Sequence, residues 1–336
     1  MQQQSFPITQ ARVAAHAVRP AEPSSPKPLP ILVEAVIGGL VIGFGLGLLR
    51  EIADRVFRTS SQVEGKLKTQ CVASIPVVAP STKGRGTSNR SHAGSASIRH
   101  ISRNTGLFSL VLDSPLSRFA ESVRAVKIAV DLSGAPTSNK VVGITSSLAS
   151  EGKSTISASL AQLCAYAGAR VILVDCDLRK RSLSRDLAPN ATAGLIDVLK
   201  DAAELDQVIW SDSSTQLSFL PTVMRSDLSH SSEILASAAM KRLFDRLRAT
   251  YDYVIVDLSP LAPVADVRAA THLVDSYLFV VEWGKTKIDV AERTLNAARG
   301  VYDNLLGVIL NKVDLKRLRR YDRNAYYTPY DYYYTE

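Results

Sequence analysis

The sequence predicts an α/β fold: a parallel sheet with helices on both faces, preceded by one transmembrane helix. Three observations carry this reading. Short apolar runs recur at 171–174, 217–220, 253–256, 277–281 and 307–310, separated by helical stretches. Such a βα repeat gives parallel strands that are buried on both faces. Residues 141–155, VVGITSSLASEGKST, read as a buried strand, a tight loop and a helix start. Residues 31–49, ILVEAVIGGLVIGFGLGLL, are almost wholly apolar. At 1.5 Å per residue they span roughly 28 Å, about one hydrocarbon core.

Taken in order, residues 1–30 are polar and proline-punctuated, ending in PAEPSSPKPLP, and predict an extended segment. The apolar helix over 31–50 has one charge, Glu34, near its first end. A signal peptide fits less well, because a proline-rich run precedes the helix and no A-x-A site follows. A buried soluble helix would show polar positions. Gly39, Gly43 and Gly47 recur every four positions, the spacing of a helix-packing face. Arg50, Arg55, Arg58, Lys66 and Lys68 crowd the C-terminal side, which places that side in the cytoplasm and residues 1–30 outside. Residues 51–109 read as a basic flexible linker, most plainly STKGRGTSNRSHAGSASIRHISRNTG at 81–106, with His92 and His100 solvated. Ser114-Pro115 then reads as the cap and first turn of a helix continuing through FAESVRAVKIAVDL.

The loop at 147–152 has the residues a polyphosphate needs. Gly152 lets backbone N–H groups turn inward, Lys153 can reach the β- and γ-phosphates, and the Ser154 hydroxyl can bind Mg²⁺. The following helix, 154–167, points its positive end at the same anion and stops at Gly168. The motif is that of a P-loop, with Ser150, Glu151, Gly152, Lys153, Ser154 and Thr155 as nucleotide contacts. Ser147 stands where the usual motif opens with glycine. The 171–174 strand ends in Asp175-Cys176-Asp177, two carboxylates at i and i+2 where strand ends meet ligand. The 253–256 strand ends in Asp257-Leu258-Ser259-Pro260, where an acid suits a Mg²⁺-holding position. Lone strand-end acids often only cap helices, but three such signals in order on one sheet point to ATP and Mg²⁺.

Charge and cysteine content narrow the function classes. Lys and Arg number 40 against 32 Asp and Glu, and the whole excess lies in the N-terminal third. The basic character fits a membrane surface there and argues against a nucleic-acid face on the folded domain. Cys71, Cys164 and Cys176 lack CxxC spacing, which argues against metal or disulfide frameworks and fits a reducing compartment. The chain closes with LKRLRR and YDRNAYYTPYDYYYTE, so residues 317–336 read as a tail with Tyr321, Tyr326, Tyr327, Tyr330, Tyr332, Tyr333 and Tyr334 as phosphate acceptors. The last sheet strand ends at the ligand edge, so this tail leaves from near the nucleotide.

With the P-loop, VILVDCDLRK, VIVDLSP and the tyrosine-rich tail together, the chain resembles the bacterial tyrosine kinases of exopolysaccharide synthesis over residues 110–336. The resemblance implies an ATP-dependent tyrosine autokinase, with Lys153 and Ser154 as Walker A residues, Asp175 and Asp177 as Walker A′ carboxylates, and Asp257 as the Walker B acid. Lys153, Asp175, Asp177 and Asp257 are then the catalytic set, and Ser154, Asp175 and Asp257 the Mg²⁺ set. Which of Asp175 and Asp177 is base and which metal ligand stays open. Glu121, Arg124 and Lys127 resemble the family's ExxRxxR oligomerisation helix, with Lys in the third place, and imply a ring-type homo-oligomer with the tail engaged in trans. PSSPKP followed by GGLVIGFG resembles the last transmembrane region of polysaccharide co-polymerases. The first such helix and the large periplasmic domain are not in this sequence, and a partner, a misplaced start or a truncation would each explain that. The implied setting is a single-pass inner-membrane protein with residues 110–316 as a cytoplasmic kinase domain beside polysaccharide polymerisation and export proteins. Two alternatives belong to other classes: a partition or site-placement ATPase, which would have lysine where Leu148 stands, and a catalytically weak regulatory subunit.

Overall fold

The computed structural model describes residues 26–53, 55–78, 99–102, 110–133, 140–223, 230–262, 266–318 and 320–321. The chain divides into two compact units, Met1–Asp54 and Arg55–Glu336.

Among its described residues the first unit contains one helix, Pro28–Ala53. It opens on Pro28, which the first helical turn tolerates because the N–H that proline lacks would have no intrahelical acceptor there. Residues Pro28–Arg50 have a mean hydropathy of 2.2, so this helix is long and apolar enough to cross a membrane. Its side chains are exposed around the whole circumference, including Leu40, Val41, Phe44 and Leu48.

The second unit is built on an eight-stranded sheet. Its strands are β1 (Cys71–Pro76), β2 (Lys140–Ser146), β3 (Val171–Cys176), β4 (Trp210–Ser211), β5 (Ser218–Leu220), β6 (Tyr253–Leu258), β7 (Ser276–Glu282) and β8 (Leu305–Val313). Their order is β1-β8-β7-β2-β6-β3-β5-β4. All pairings are parallel except β4 against β5. The central strands are buried along nearly their whole length, which is why they read as continuous apolar runs rather than alternating ones. One face is covered by helices Arg118–Leu132 and Lys153–Tyr166, through Phe119, Val123, Val126, Ile156 and Leu160. The other is covered by helices Ala238–Thr250 and Ile288–Ala297, through Leu243, Phe244, Leu247 and Leu295.

Two expectations need correction. Residues 55–78, read as part of a flexible basic linker, are integral to the folded unit. Helix Ser60–Leu67 starts on a capping box formed by Thr59 and Gln62, and β1 extends the sheet by pairing with β8, Cys71 opposite Val308 and Ser74 opposite Leu310. The apolar anchors are few but wholly buried, namely Phe57, Val63 and Ile75. Glu64, Lys66 and Lys68 between them are exposed, which is why composition disguised the segment. The helix expected to start at Ser114-Pro115 is instead capped by Ser117, whose side chain accepts from the Ala120 N–H, and begins at Arg118. That phase puts Phe119, Val123, Val126 and Val130 on the core side. Most of residues 81–106, including His92, lie outside the described residues, while His100 is exposed and bridges to Ser211 at the β4 edge.

Candidate nucleotide site

Strand β2 runs into the loop at 147–152 and then into the 14-residue helix Lys153–Tyr166. The helix N-cap is Gly152, at φ 98°, with no side-chain cap hydrogen bond. The first N–H groups of the helix are thus left for an anion. A side chain at Gly152 would be strained at that φ, and its Cβ would overlap the Asn311 amide. Asn311, at the end of β8, fixes the loop from behind by donating from Nδ2 to the Glu151 carbonyl at 2.8 Å. Next along the chain, the Lys312 ammonium donates to the Ser150 carbonyl at 2.6 Å, and Lys180 donates to the Ser150 hydroxyl at 3.1 Å.

Strands β3 and β6 are neighbours, and their register sets Asp175 opposite Asp257. The Asp257 carboxylate accepts from Ser154 at 2.6 Å, Lys153 at 3.2 Å and Ser157 at 3.1 Å. Lys153 is also paired with Asp177 at 2.8 Å. Asp175 is turned differently: it accepts from the Ser184 hydroxyl at 2.6 Å, the Ser184 N–H at 3.0 Å and the Asp177 N–H at 3.2 Å. A cavity of about 570 Å³ opens beside this cluster, and Lys153, Ser154, Thr155, Asp177, Ser259 and Lys312 are among the residues on its wall. Asp177 therefore faces the cavity, and Asp175 stands behind it.

The electrostatics are unbalanced. One ammonium stands among three carboxylates, all of them buried. Burial pushes Asp175 up to about 7, with the Asp257 charge adding to the effect. Asp257 is also raised by burial, against the pull of Lys153 and the Ser154 hydrogen bond. For Lys153, burial works against the charged form, but Asp257 and Asp177 outweigh it and raise the ammonium above its usual range. Such a cluster is stabilised by a further cation, because an uncompensated buried carboxylate is costly. Among the described residues no group of three or more His, Cys, Asp and Glu side chains is arranged to enclose a metal by itself. The donors that fit Mg²⁺ are a hydroxyl and carboxylates, Ser154 with Asp257 and the cavity-facing Asp177, while Asp175, expected among them, is turned to Ser184; hard oxygen donors suit that ion when phosphate oxygens complete the shell.

Of the residues expected to contact nucleotide, Ser150, Gly152, Lys153, Ser154 and Thr155 line the cavity. Glu151 is the exception. Its carboxylate is buried and turned into the protein, accepting from the Leu148 N–H at 2.8 Å and from the Thr286 hydroxyl. Burial raises its pKa. The Glu151 side chain braces the loop. Asn311, Lys312, Ser259 and Thr286 were missed in the sequence, although the polar pair Asn311-Lys312 ends an apolar strand as Asp175 and Asp257 do.

Outside the cavity, Tyr321 is the one tyrosine of the expected acceptor set that falls among the described residues. Its ring lies under the Arg58 guanidinium, 4.4 Å from the centroid, and edge-on to Trp283 at 6.4 Å. Tyr326, Tyr327, Tyr330, Tyr332, Tyr333 and Tyr334 lie outside the described residues. Glu121, Arg124 and Lys127 share one helix: Arg124 pairs with Glu121 at 2.7 Å, and Lys127 with Asp131 at 2.6 Å. Ile128 and Leu132 on that helix are 55% and 77% exposed.

Residues 139–306 match the AAA domain family. The succinoglycan biosynthesis transport protein ExoP of Rhizobium meliloti is 36% identical over 345 residues, covering all of this chain and 44% of that protein. The tyrosine-protein kinase YwqD of Bacillus subtilis is 30% identical over 218 residues, covering 65% of this chain and 90% of that protein. The tyrosine-protein kinase ptk of Acinetobacter johnsonii is 27% identical over 307 residues, with 40% of its length covered. The chain thus spans less than half the length of ExoP and ptk. Among solved structures, the kinase domain of the Escherichia coli tyrosine kinase ETK is similar with a TM-score of 0.64 and 26% identity, over 76% of this chain and 95% of that one.

Proposed function

Since the chain belongs to the bacterial tyrosine kinase family of exopolysaccharide export, with an AAA-type domain behind an apolar helix, we propose that it is an ATP-dependent protein tyrosine autokinase. The observation that carries this reading is the Lys153 ammonium held between Asp177 and Asp257 at the mouth of a helix N-terminus. A polyphosphate entering the cavity competes for that ammonium, and the loop and helix N–H groups bind it further. Lys153 then leaves Asp177, whose carboxylate faces the cavity and is free to take the proton of an incoming tyrosine hydroxyl. The phenol oxygen forms the new bond to the γ-phosphorus, the bond to the β-phosphate oxygen breaks, and ADP leaves. Asp175, bound on three sides by Ser184 and Asp177 backbone and hydroxyl groups, holds the strand end rather than the substrate. Mg²⁺, when bound at Ser154 and Asp257, supplies charge neutralisation for the phosphates.

In this reading the tail tyrosines are the acceptors and are modified in trans, within a ring built on Glu121, Arg124 and Lys127. The apolar helix crosses the inner membrane once and leaves the kinase unit in the cytoplasm. The kinase unit starts at about residue 55, not 110, and works on polysaccharide polymerisation or export partners. The test is direct. Full-length protein in detergent micelles is incubated with ATP and Mg²⁺, and phosphate is mapped by mass spectrometry. Phosphotyrosine between 321 and 334 is expected, and its loss in Lys153→Met. ATP turnover with no phosphotyrosine would favour an ATPase instead.

A further inference from the structure

Ser259 lies two residues beyond Asp257, just past the end of β6, on the wall of the nucleotide cavity. It is 1% exposed. Its backbone is well accounted for. The Ser259 carbonyl accepts from the Thr145 hydroxyl at 2.7 Å, and the following residues tie this segment to the P-loop strand, Leu261 N–H to the Ser146 carbonyl at 2.8 Å and Ala262 N–H to the Ser147 carbonyl at 3.0 Å. Its hydroxyl is not. The Oγ is buried and has no hydrogen-bond partner among the described residues. A buried polar group without a partner costs stability, so its presence in a cavity wall has meaning when a ligand supplies the missing bond. Ser259 follows Asp257 by two residues, past the strand end, and shares the cavity wall with Ser154 and Lys153.

We propose that the Ser259 hydroxyl is a ligand contact that donates a hydrogen bond to the terminal phosphate group of the bound nucleotide and so distinguishes a triphosphate from a diphosphate. This rests on the ATP-binding reading above. It assigns the residue no proton transfer. The chemistry is one O–H donor meeting an anionic oxygen, a charge-assisted bond stronger than a neutral one.

A matched control exists in the same fold. Ser159, in the middle of the helix that follows the loop, is also fully buried and its hydroxyl is also unpaired, yet it does not line the cavity. The experiment measures the affinity of the full-length protein for fluorescent analogues of ATP and ADP with Mg²⁺, and the melting temperature of the apo-protein. Three variants are used: Ser259→Ala, Ser159→Ala and Lys153→Met. Ser259→Ala is expected to melt at or above the wild-type temperature, because it removes an unpaired buried hydroxyl. It should lose roughly tenfold in ATP affinity, the size of one hydrogen bond to a charged group, while ADP affinity stays within about twofold. Ser159→Ala should keep both affinities. Unchanged ATP affinity in Ser259→Ala, equal losses for ATP and ADP, or a lowered apo melting temperature would each overturn the assignment. Failure of the wild-type protein to bind ATP, with Lys153→Met no different, overturns the ATP-binding reading instead.

Discussion

Thr286→Val keeps the shape of a side chain and removes one hydroxyl, and that hydroxyl is the joint between the phosphate loop and the turn after β7. In the native fold it donates to the Glu151 carboxylate and accepts from the Glu282 N–H at 2.8 Å. Both groups lose a partner in the variant. An orphaned buried donor or acceptor costs about 1–3 kcal/mol. Two of them, with partial relaxation, come to about 2–4 kcal/mol. For a unit of this size, 1 kcal/mol corresponds to about 2–4 °C, so the apo melting temperature should fall by roughly 4–16 °C. The effect should also reach the ligand, because Glu151 holds the Leu148 N–H and its carbonyl is held by Asn311. Calorimetry on the full-length protein, paired with ATP titration, measures both. Thr286→Ser restores the hydroxyl and should recover most of the loss. A Thr286→Val protein that melts within about 1 °C of wild type and binds ATP equally well would refute the brace.

Other expectations follow from the same geometry. Lys153→Met leaves Asp177 and Asp257 without their cation, so labelling with ATP should vanish; the apo-protein should also lose about 3–5 kcal/mol at neutral pH, as when one partner of a buried pair is removed, which denaturant titration would detect. Asp175 has a folded pKa raised to about 7 by burial and by Asp257. A raised pKa means the folded state holds the proton more tightly, so this contribution is complete below the ordinary carboxylate range and is lost as pH rises towards 7. The apo melting temperature, measured with chelator, should therefore decline from pH 5 to pH 8, and Asp175→Asn should flatten the slope; an unchanged slope would contradict it. Tyr321→Ala uncovers the Trp283 edge, so Trp283 emission in a Trp210→Phe background should shift to longer wavelength, with no shift expected for Tyr321→Phe. Arg124→Glu places two acids at i and i+3 on an exposed helix face, and the mass by light scattering should fall if that face joins subunits.

Much of the sheet was legible because its central strands are buried on both faces and so appear as uninterrupted apolar runs bounded by loops. The carboxylates were legible for a related reason: an acid directly after such a run sits where strand ends meet ligand. Strand β1 was not. Cys71, Val72 and Ser74 are only partly buried at the sheet edge, and its partner β8 lies more than two hundred residues away, beyond any local pattern. Ser114 and Ser117 are equally good caps by composition, and only the docking of Phe119 and Val123 onto the sheet selects between them. Glu151 shows a third limit, since its position in the loop says nothing about which way its carboxylate turns. Thr286, which receives it, lies far along the chain. Asp175 and Asp177 have the same residue type and similar spacing, and it is Ser184 that takes one of them out of the cavity.

The claim that the tail is the substrate, and is reached from a neighbouring subunit, is tested most directly by a mixture. An active form shortened after Asp322 provides the nucleotide site, and a full-length Lys153→Met form provides the tail. After incubation with ATP and Mg²⁺, tyrosine phosphorylation of the inactive partner between residues 326 and 334 is the predicted result. A tail that stays unmodified in the mixture, while wild-type protein labels its own, would contradict transfer between subunits.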